Sequence, residues 1–564
     1  MARERFARRP VRVADCLAVL VISIAAELTI TPSIAATASS EPKSGAAVAE
    51  IVGRIDQTLA DELNSFSNST GRGAAPLVDD AVFVRRAYLD LVGELPTPNE
   101  YTIFTLDPAA DKRGRLVEQL LADQRFGRNW GRYWRDVILY RRGDERALIT
   151  ARPAEDFFAN AMNENMGWDK IARNVIEARG NVYDEGRTVL IMAQQADAND
   201  IASEVSRIFM GVQISCAQCH DHPTDRWKRS QFHEFAAFFP RVQLRPIFNE
   251  GRVRGFEVAS MDSSFRFRAP DQPGRGSLEH YMPDLKDPSS RGTVMTPAFF
   301  ATGQKLPTGT PDAERRETIA RWITSPQNGW FAKAFVNRTW AELVGEGFYE
   351  PVDDLGPDRK CSAPKTLDLL AAQFASHHYN VKWLFRTIMA TKTYQRQSRP
   401  RRNPDETPFL ANCTQRLRAD QVFENLVHCL GSPPVSASNY SNTGPSRAIT
   451  GRMVFGMVFG YDPSDRRDEV SGSIPQALAL MNSSQMASVI NARNPQTLLG
   501  KLLADQRDDE DAIVELYLLC LAREPSSSEL KISRDYVNGV GNRAEAFEDL
   551  QWALLNRSEF LHRN

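Results

Sequence analysis

The 564-residue sequence predicts a mainly α protein, with two helical domains joined by a small β-containing or irregular connector. Three observations carry this expectation. Apolar residues recur at three- and four-residue spacing along most of the chain, cap and stop residues punctuate those stretches, and between residues 241 and 308 the pattern changes to short alternating segments among Gly, Pro and Asp clusters. With 42% hydrophobic residues the chain has enough apolar material for real cores without disulfide staples. Its formal charge of −2, from mixed acidic and basic residues, argues against nucleic acid as a partner, because nonspecific phosphate binding needs a concentrated cationic face.

Five arginines, Arg3, Arg5, Arg8, Arg9 and Arg12, precede an apolar run from Cys16 to Ala26 and then Ala36-Thr37-Ala38. This order predicts a secretory signal over residues 1–38 and a flexible leader over 39–47, hence an exported protein, periplasmic or extracellular. No run is long enough for a transmembrane segment. The first helical domain, 48–240, opens with helical spacing from Val48 to Leu63. Asp79 or Asp80 then caps a helix to Leu91, and Thr97-Pro98-Asn99-Glu100 forms a capping box. Helices follow over Lys112 to Leu121, Trp130 to Tyr140, Ala154 to Asn163, Trp168 to Ala178, Ile201 to Ile214 and Phe232 to Phe239. Strands are expected at residues 252–258 and 264–268, inside the 241–308 connector.

The second helical domain, 309–564, has periodic stretches over Arg315 to Thr324, Phe331 to Leu343, Pro364 to His377, Val381 to Ala390, Asp420 to Leu430, Pro475 to Ile490, Asp509 to Leu521, Ser526 to Val537 and Arg543 to Asn556. Ser432 to Arg447, rich in Ser, Pro, Asn and Gly, reads as a loop.

The chemistry concentrates at Cys216-Ala217-Gln218-Cys219-His220, followed by Asp221, His222 and Pro223. A CxxCH pentad is the attachment signature of a c-type haem. On a helical turn its two thiols and its imidazole share one face, so Cys216 and Cys219 would hold the porphyrin while His220 binds the iron. Other readings stay open. The thiols form a redox dithiol, a plain disulfide or a buried pair, or they join His222 or His233 in a zinc or non-haem iron site.

The stretch 83–97, the Trp130 to Tyr140 helix and the run from Gly211 to Pro223 ending in Ala236-Ala237-Phe238-Phe239 resemble the planctomycete cytochrome-like domain DUF1549. Residues 335–340, 345–348, 351–354, 392–395, 475–482 and the tail 552–560 resemble its companion DUF1553. The resemblance implies an exported c-type cytochrome-like protein with one haem c in electron transfer or another redox role. It also implies an external redox partner, since no separate N-terminal cytochrome module is present, and an association with sulfatase-like proteins. The alternative is a non-redox protein that binds or processes extracellular polysaccharide and carries a structural Cys/His metal site.

A distal iron ligand has to come from elsewhere. Met282, followed by Pro283, is one candidate; Met210 and His233 are rivals, and five-coordinate iron is equally open. Asp353 and Asp354 would line a polar cleft with Asn337 and Arg338, or serve as caps and ion-pair partners. Arg86 and Asp90 stand at i, i+4 and predict a pair that fixes helix packing. No nucleophile elbow, phosphate loop or zincin motif anchors an ordinary hydrolase.

The pattern places the first sites of limited proteolysis in 241–308 or in Ser432 to Arg447. Fragment masses from a brief protease digest check this; preferred cleavage between Phe83 and Leu91 contradicts it.

Overall fold

Helix boundaries in this chain are set locally, by the residues that cap them. Asp79 accepts from the Val82 amide at 2.8 Å and starts the helix Asp80–Leu91. At Pro98–Leu106 the capping box is closed both ways, since Thr97 Oγ1 accepts from Glu100 N at 3.2 Å and Glu100 Oε2 accepts from Thr97 N at 2.8 Å. The computed structural model describes residues 44–64, 66, 73–261, 278–287, 289–400, 406–432, 451–481 and 484–564. The leader signature, the segment 264–268 and most of Ser432 to Arg447 lie outside them. Within them the protein is mainly α, with a few short strands.

Residues 47–564 form one compact unit. The two helical blocks separated by the sequence pattern share an interior, because the aromatic residues of one stack on those of the other. Trp134, on Gln124–Leu139, lies 4.3 Å from Trp168 and stacks at 5.7 Å on Phe335, which belongs to Gly329–Val344. Phe335 in turn stacks on Phe374 at 5.1 Å. Full burial of each such ring is worth roughly 1.5–3 kcal/mol, so separating the blocks would expose several large contributions at once. A second apolar cluster joins the C-terminal helices, including Phe547, Leu516 and Leu426, to Leu89 and Leu95 of the first block.

The connector is tied to the helices in the same way. Its hairpin, Val242–Asn249 with Arg252–Ser260, pairs antiparallel with Val242 opposite Ser260. A third strand, Gly180–Asn181 from the helical block, adds to the edge with Gly180 opposite Val258. A separate two-stranded ribbon pairs Tyr281–Met282 with Thr293–Val294. Residues Pro475 to Ile490 are described as two helices, Ile474–Met481 and Ser484–Val489.

Buried charges hold the halves in register. The expected Arg86–Asp90 pair is not formed: Asp90 accepts from Arg563, 2.7 Å away and 473 residues later, and from the Tyr394 hydroxyl at 2.9 Å. Arg86 instead donates to the carbonyls of Tyr394 and Arg396 and to a backbone oxygen of Asn564. Asp90 already has two donors, whereas the Tyr394 and Arg396 carbonyls, at the end of a short helix, need one.

The other buried network centres on Arg207. It donates to Glu204 at 2.5 Å, to Asp353 at 2.9 Å and to the Val137 carbonyl at 2.9 Å. Asp353 also accepts from Ser464 at 2.7 Å, from Arg338 at 3.3 Å and, through its other oxygen, from Gln213 at 2.9 Å. Burial works against the Asp353 carboxylate, yet Arg338 and Arg207 outweigh it and hold the group well below the usual carboxylate range. Asp354 pairs with Arg359 at 2.8 Å. Both aspartates therefore serve as ion-pair partners.

Asp353→Asn should cost about 3–5 kcal/mol, because it leaves Arg207 and Arg338 buried without their shared counter-charge. Asp358→Asn, in the exposed pair with Arg226, should cost under about 1 kcal/mol. Denaturant titration of both variants checks the contrast.

Candidate functional site

The helix that leads into the pentad, Ala198–Met210, ends because Gly211 adopts φ 63°. A side chain there would be strained by that left-handed backbone and would meet the Leu355 side chain at 2.7 Å. The Gly211 carbonyl accepts from Leu355 N at 2.6 Å, so the turn of the first block is closed by the backbone of the second. Ile214 and Ala217 then point into the core and are fully buried.

Between these anchors the chain makes a 3₁₀ turn, Ser215–Gln218. Residues three apart eclipse in such a turn, which puts Cys216 and Cys219 on the same side. Both are exposed free thiols, and His220 beside them is exposed. The His220 Nδ1 lies 2.7 Å from the Asp221 carbonyl oxygen. A carbonyl only accepts, so Nδ1 carries the proton and the Nε2 lone pair is left for a ligand. The Asp221 carboxylate is bound by the Arg229 amide and the Lys228 ammonium, each at 3.0 Å, which lower its pKa.

The other predicted residues separate into two groups. His222 serves the turn: its amide donates to the Trp227 carbonyl at 2.8 Å, and its Nδ1 accepts from Thr224 N at 3.3 Å. His233 is buried beneath the pentad with both ring nitrogens engaged. Its Nε2 donates to the Gln218 carbonyl at 3.0 Å, which leaves Nδ1 to accept, at 2.9 Å, from Nε2 of His280. Met210 is fully buried, and its sulfur accepts from Asn328 at 3.6 Å.

Met282 is half-buried on its short strand, and the structure ties that strand to the pentad. Arg229 donates to the Gln218 carbonyl at 3.3 Å and to the carbonyl of Pro283, next to Met282, at 2.6 Å. His280, two residues before Met282, closes a second link through His233. Among the described residues no group of three or more His, Cys, Asp or Glu side chains is gathered closely enough to hold a metal ion. A zinc site through His233 would need its ring to give up one of two buried hydrogen bonds.

Sequence reasoning missed His280, Arg229 and the Arg207 network. Glu204 and Arg207 at i, i+3 immediately before the pentad were the available signal. Nothing local announces that His280 meets a ring 47 residues away.

The second half also lines the loop after the pentad. Arg359 donates to Thr224 Oγ1 at 3.0 Å, and Arg226 pairs with Asp358 at 3.5 Å. Gly356 lies so close to this loop that a Cβ would sit 1.7 Å from Asp225 Oδ2. Among the described residues no helix is long and apolar enough to cross a membrane.

Comparison with known families matches residues 54–244 to PSCyt2, a protein of unknown function (DUF1549), and residues 315–450 to PSD1, a protein of unknown function (DUF1553). No curated protein and no solved structure matches the chain.

The buried histidine pair makes stability depend on pH. Burial lowers the pKa of His233 to about 4 and that of His280 to about 3, with the opposing ring adding to the effect at His280. Both are depressed below the unfolded value near 6.5, so the unfolded chain binds protons first as pH falls. Their contribution is complete above pH 6.5 and is lost on descending toward pH 4. At pH 5 the loss for His233 is on the order of 2 kcal/mol. Unfolding midpoints at pH 7 and pH 5 should differ less in His233→Gln than in the unaltered protein.

Proposed function

We propose, for a chain that belongs to the proteins joining a DUF1549 domain to a DUF1553 domain, that it is an exported c-type cytochrome-like protein with one covalently held haem and a role in electron transfer or related redox chemistry. The observation that carries this reading is the pentad: two free thiols and an imidazole, all exposed, on and directly after one 3₁₀ turn whose backbone is anchored in the core. The donor set fits the group. Cys216 and Cys219 would hold the porphyrin by thioethers, and His220 would be the axial ligand through Nε2.

A haem bound there supplies one-electron chemistry at a potential set by its axial ligands and surroundings. The chain's own residues do the positioning. The Asp221 carbonyl holds the His220 ring in the tautomer that leaves Nε2 free, the arrangement that orients iron-bound histidines. Ile214 and Ala217 fix the turn from below. Arg229, through the Pro283 carbonyl, holds the end of the Tyr281–Met282 strand against the same turn, which supports Met282 as the candidate distal ligand. With one such site, transfer requires an external redox partner.

Expression of the full chain beside c-type haem-maturation machinery, followed by a denaturing gel stained for covalent haem, tests the reading. Cys216→Ser and Cys219→Ser should each weaken the stain and the double change should abolish it, while His220→Ala should leave some attached haem with altered iron spectra. A matured wild-type protein that carries zinc and no haem overturns it.

A further inference from the structure

Of the cysteines outside the pentad, Cys361 and Cys413 face other partners: the Tyr349 hydroxyl contacts the first, and the second packs its Cβ against Gly345. Cys429 and Cys520 face each other. They sit on Ala419–Leu430 and Asp509–Leu521, both fully buried in the C-terminal apolar cluster. Both are free thiols, and the Cys429 thiol lies 3.4 Å from the carbonyl oxygen of Leu519, the residue preceding Cys520, so the two side chains share one buried neighbourhood.

We propose that Cys429 and Cys520 are joined by a disulfide in the mature protein, formed while the chain folds in an oxidising compartment. This rests on the exported location in the reading above and not on the haem. Stable disulfides belong to such compartments, and the placement of Cys429 against the turn of helix that carries Cys520 brings the two thiols together in the core. In the folded protein burial pushes the Cys429 thiol well above its usual pKa, so the reactive thiolate belongs to the chain before these helices close.

The oxidant is a disulfide, either of a thiol oxidoreductase or of glutathione. One cysteine, as thiolate, attacks it and breaks its S–S bond to give a mixed disulfide. The second cysteine, as thiolate, displaces the remaining sulfur and forms the Cys429–Cys520 bond. Two electrons pass to the oxidant, and its two sulfurs leave as thiols carrying the two protons. The link closes a loop of roughly 90 residues, a length at which cross-linking strongly restricts the unfolded chain. That loop contains Gly451–Phe459 and Ile474–Met481, which leave Met457, Ile474, Leu478 and Met481 exposed. Holding its ends together keeps these apolar helices close to the fold while it assembles.

The full chain, reduced and unfolded, is refolded in a buffer of reduced and oxidised glutathione; free thiols are blocked in denaturant, and the proteolytic peptides are weighed. The expected result is a Cys429 peptide linked to a Cys520 peptide that separates on reduction, with Cys520 becoming free to alkylate in Cys429→Ser. Reduction should also lower the unfolding midpoint of the linked protein and leave that of C429S/C520S unchanged. A full-chain variant with Ser at 16, 216, 219, 361 and 413 removes competing pairings. Refolded protein with native helicity whose Cys429 and Cys520 both alkylate before reduction, in the full chain or in that variant, overturns the proposal. Loss of haem with the link intact would count against the haem reading alone.

Discussion

The contact between Arg207 and Asp353 is the constraint from which the rest of this architecture follows. Arg207 lies in the last turn of the helix that runs into the pentad, Asp353 lies in the second half, and the two are buried at 2.9 Å with Glu204, Arg338 and Ser464 around them. A charged group out of water is tolerated only where its partners are held in place. The cluster therefore cannot be relaxed by sliding one half over the other. Fixing Asp353 also fixes Leu355, whose amide closes the Gly211 turn, and Gly356, which fits against Asp225. The pentad surface is accordingly made by both matched segments, which gives a physical reason for them to occur on one chain.

Above that clamp the pentad combines a rigid base with exposed reactive groups. The backbone from Gly211 to Ala217 is anchored by buried apolar side chains, while Cys216, Cys219 and His220 face outward. The Gln218 carbonyl between them accepts from His233 and from Arg229, and both links lead to the strand of Met282. Such anchoring holds the three exposed side chains in one fixed arrangement.

What was legible in the sequence was local. The Asp79 and Thr97 caps act within one turn, and the structure has both. The same holds for the apolar faces that define the helices and for the alternation that gave the strand at 252–258. What was not legible depends on pairs far apart in the chain. Asp90 had a suitable arginine four residues before it, yet its partner is Arg563, because Arg86 is drawn to open carbonyls. The two helical blocks looked self-sufficient, since periodicity reports that a face is apolar and says nothing of which helix covers it. His280 carried no signal for the same reason. Asp353 and Asp354, read either as a cleft or as ion-pair partners, were resolved only by the positions of Arg207 and Arg359.

A shared interior and a buried ion cluster across the junction make both halves one cooperative unit beneath the pentad. Native-state hydrogen exchange measures this directly, through the amides of Ala217 and His222 in the pentad region, Leu355 at the junction and Leu384 in the second half. One cooperative unit predicts that Ala217, Leu355 and Leu384 exchange through the same global opening, with equal dependence on denaturant. Exchange of Ala217 and Leu355 through a separate, much lower-energy opening, while Leu384 stays protected, would contradict it.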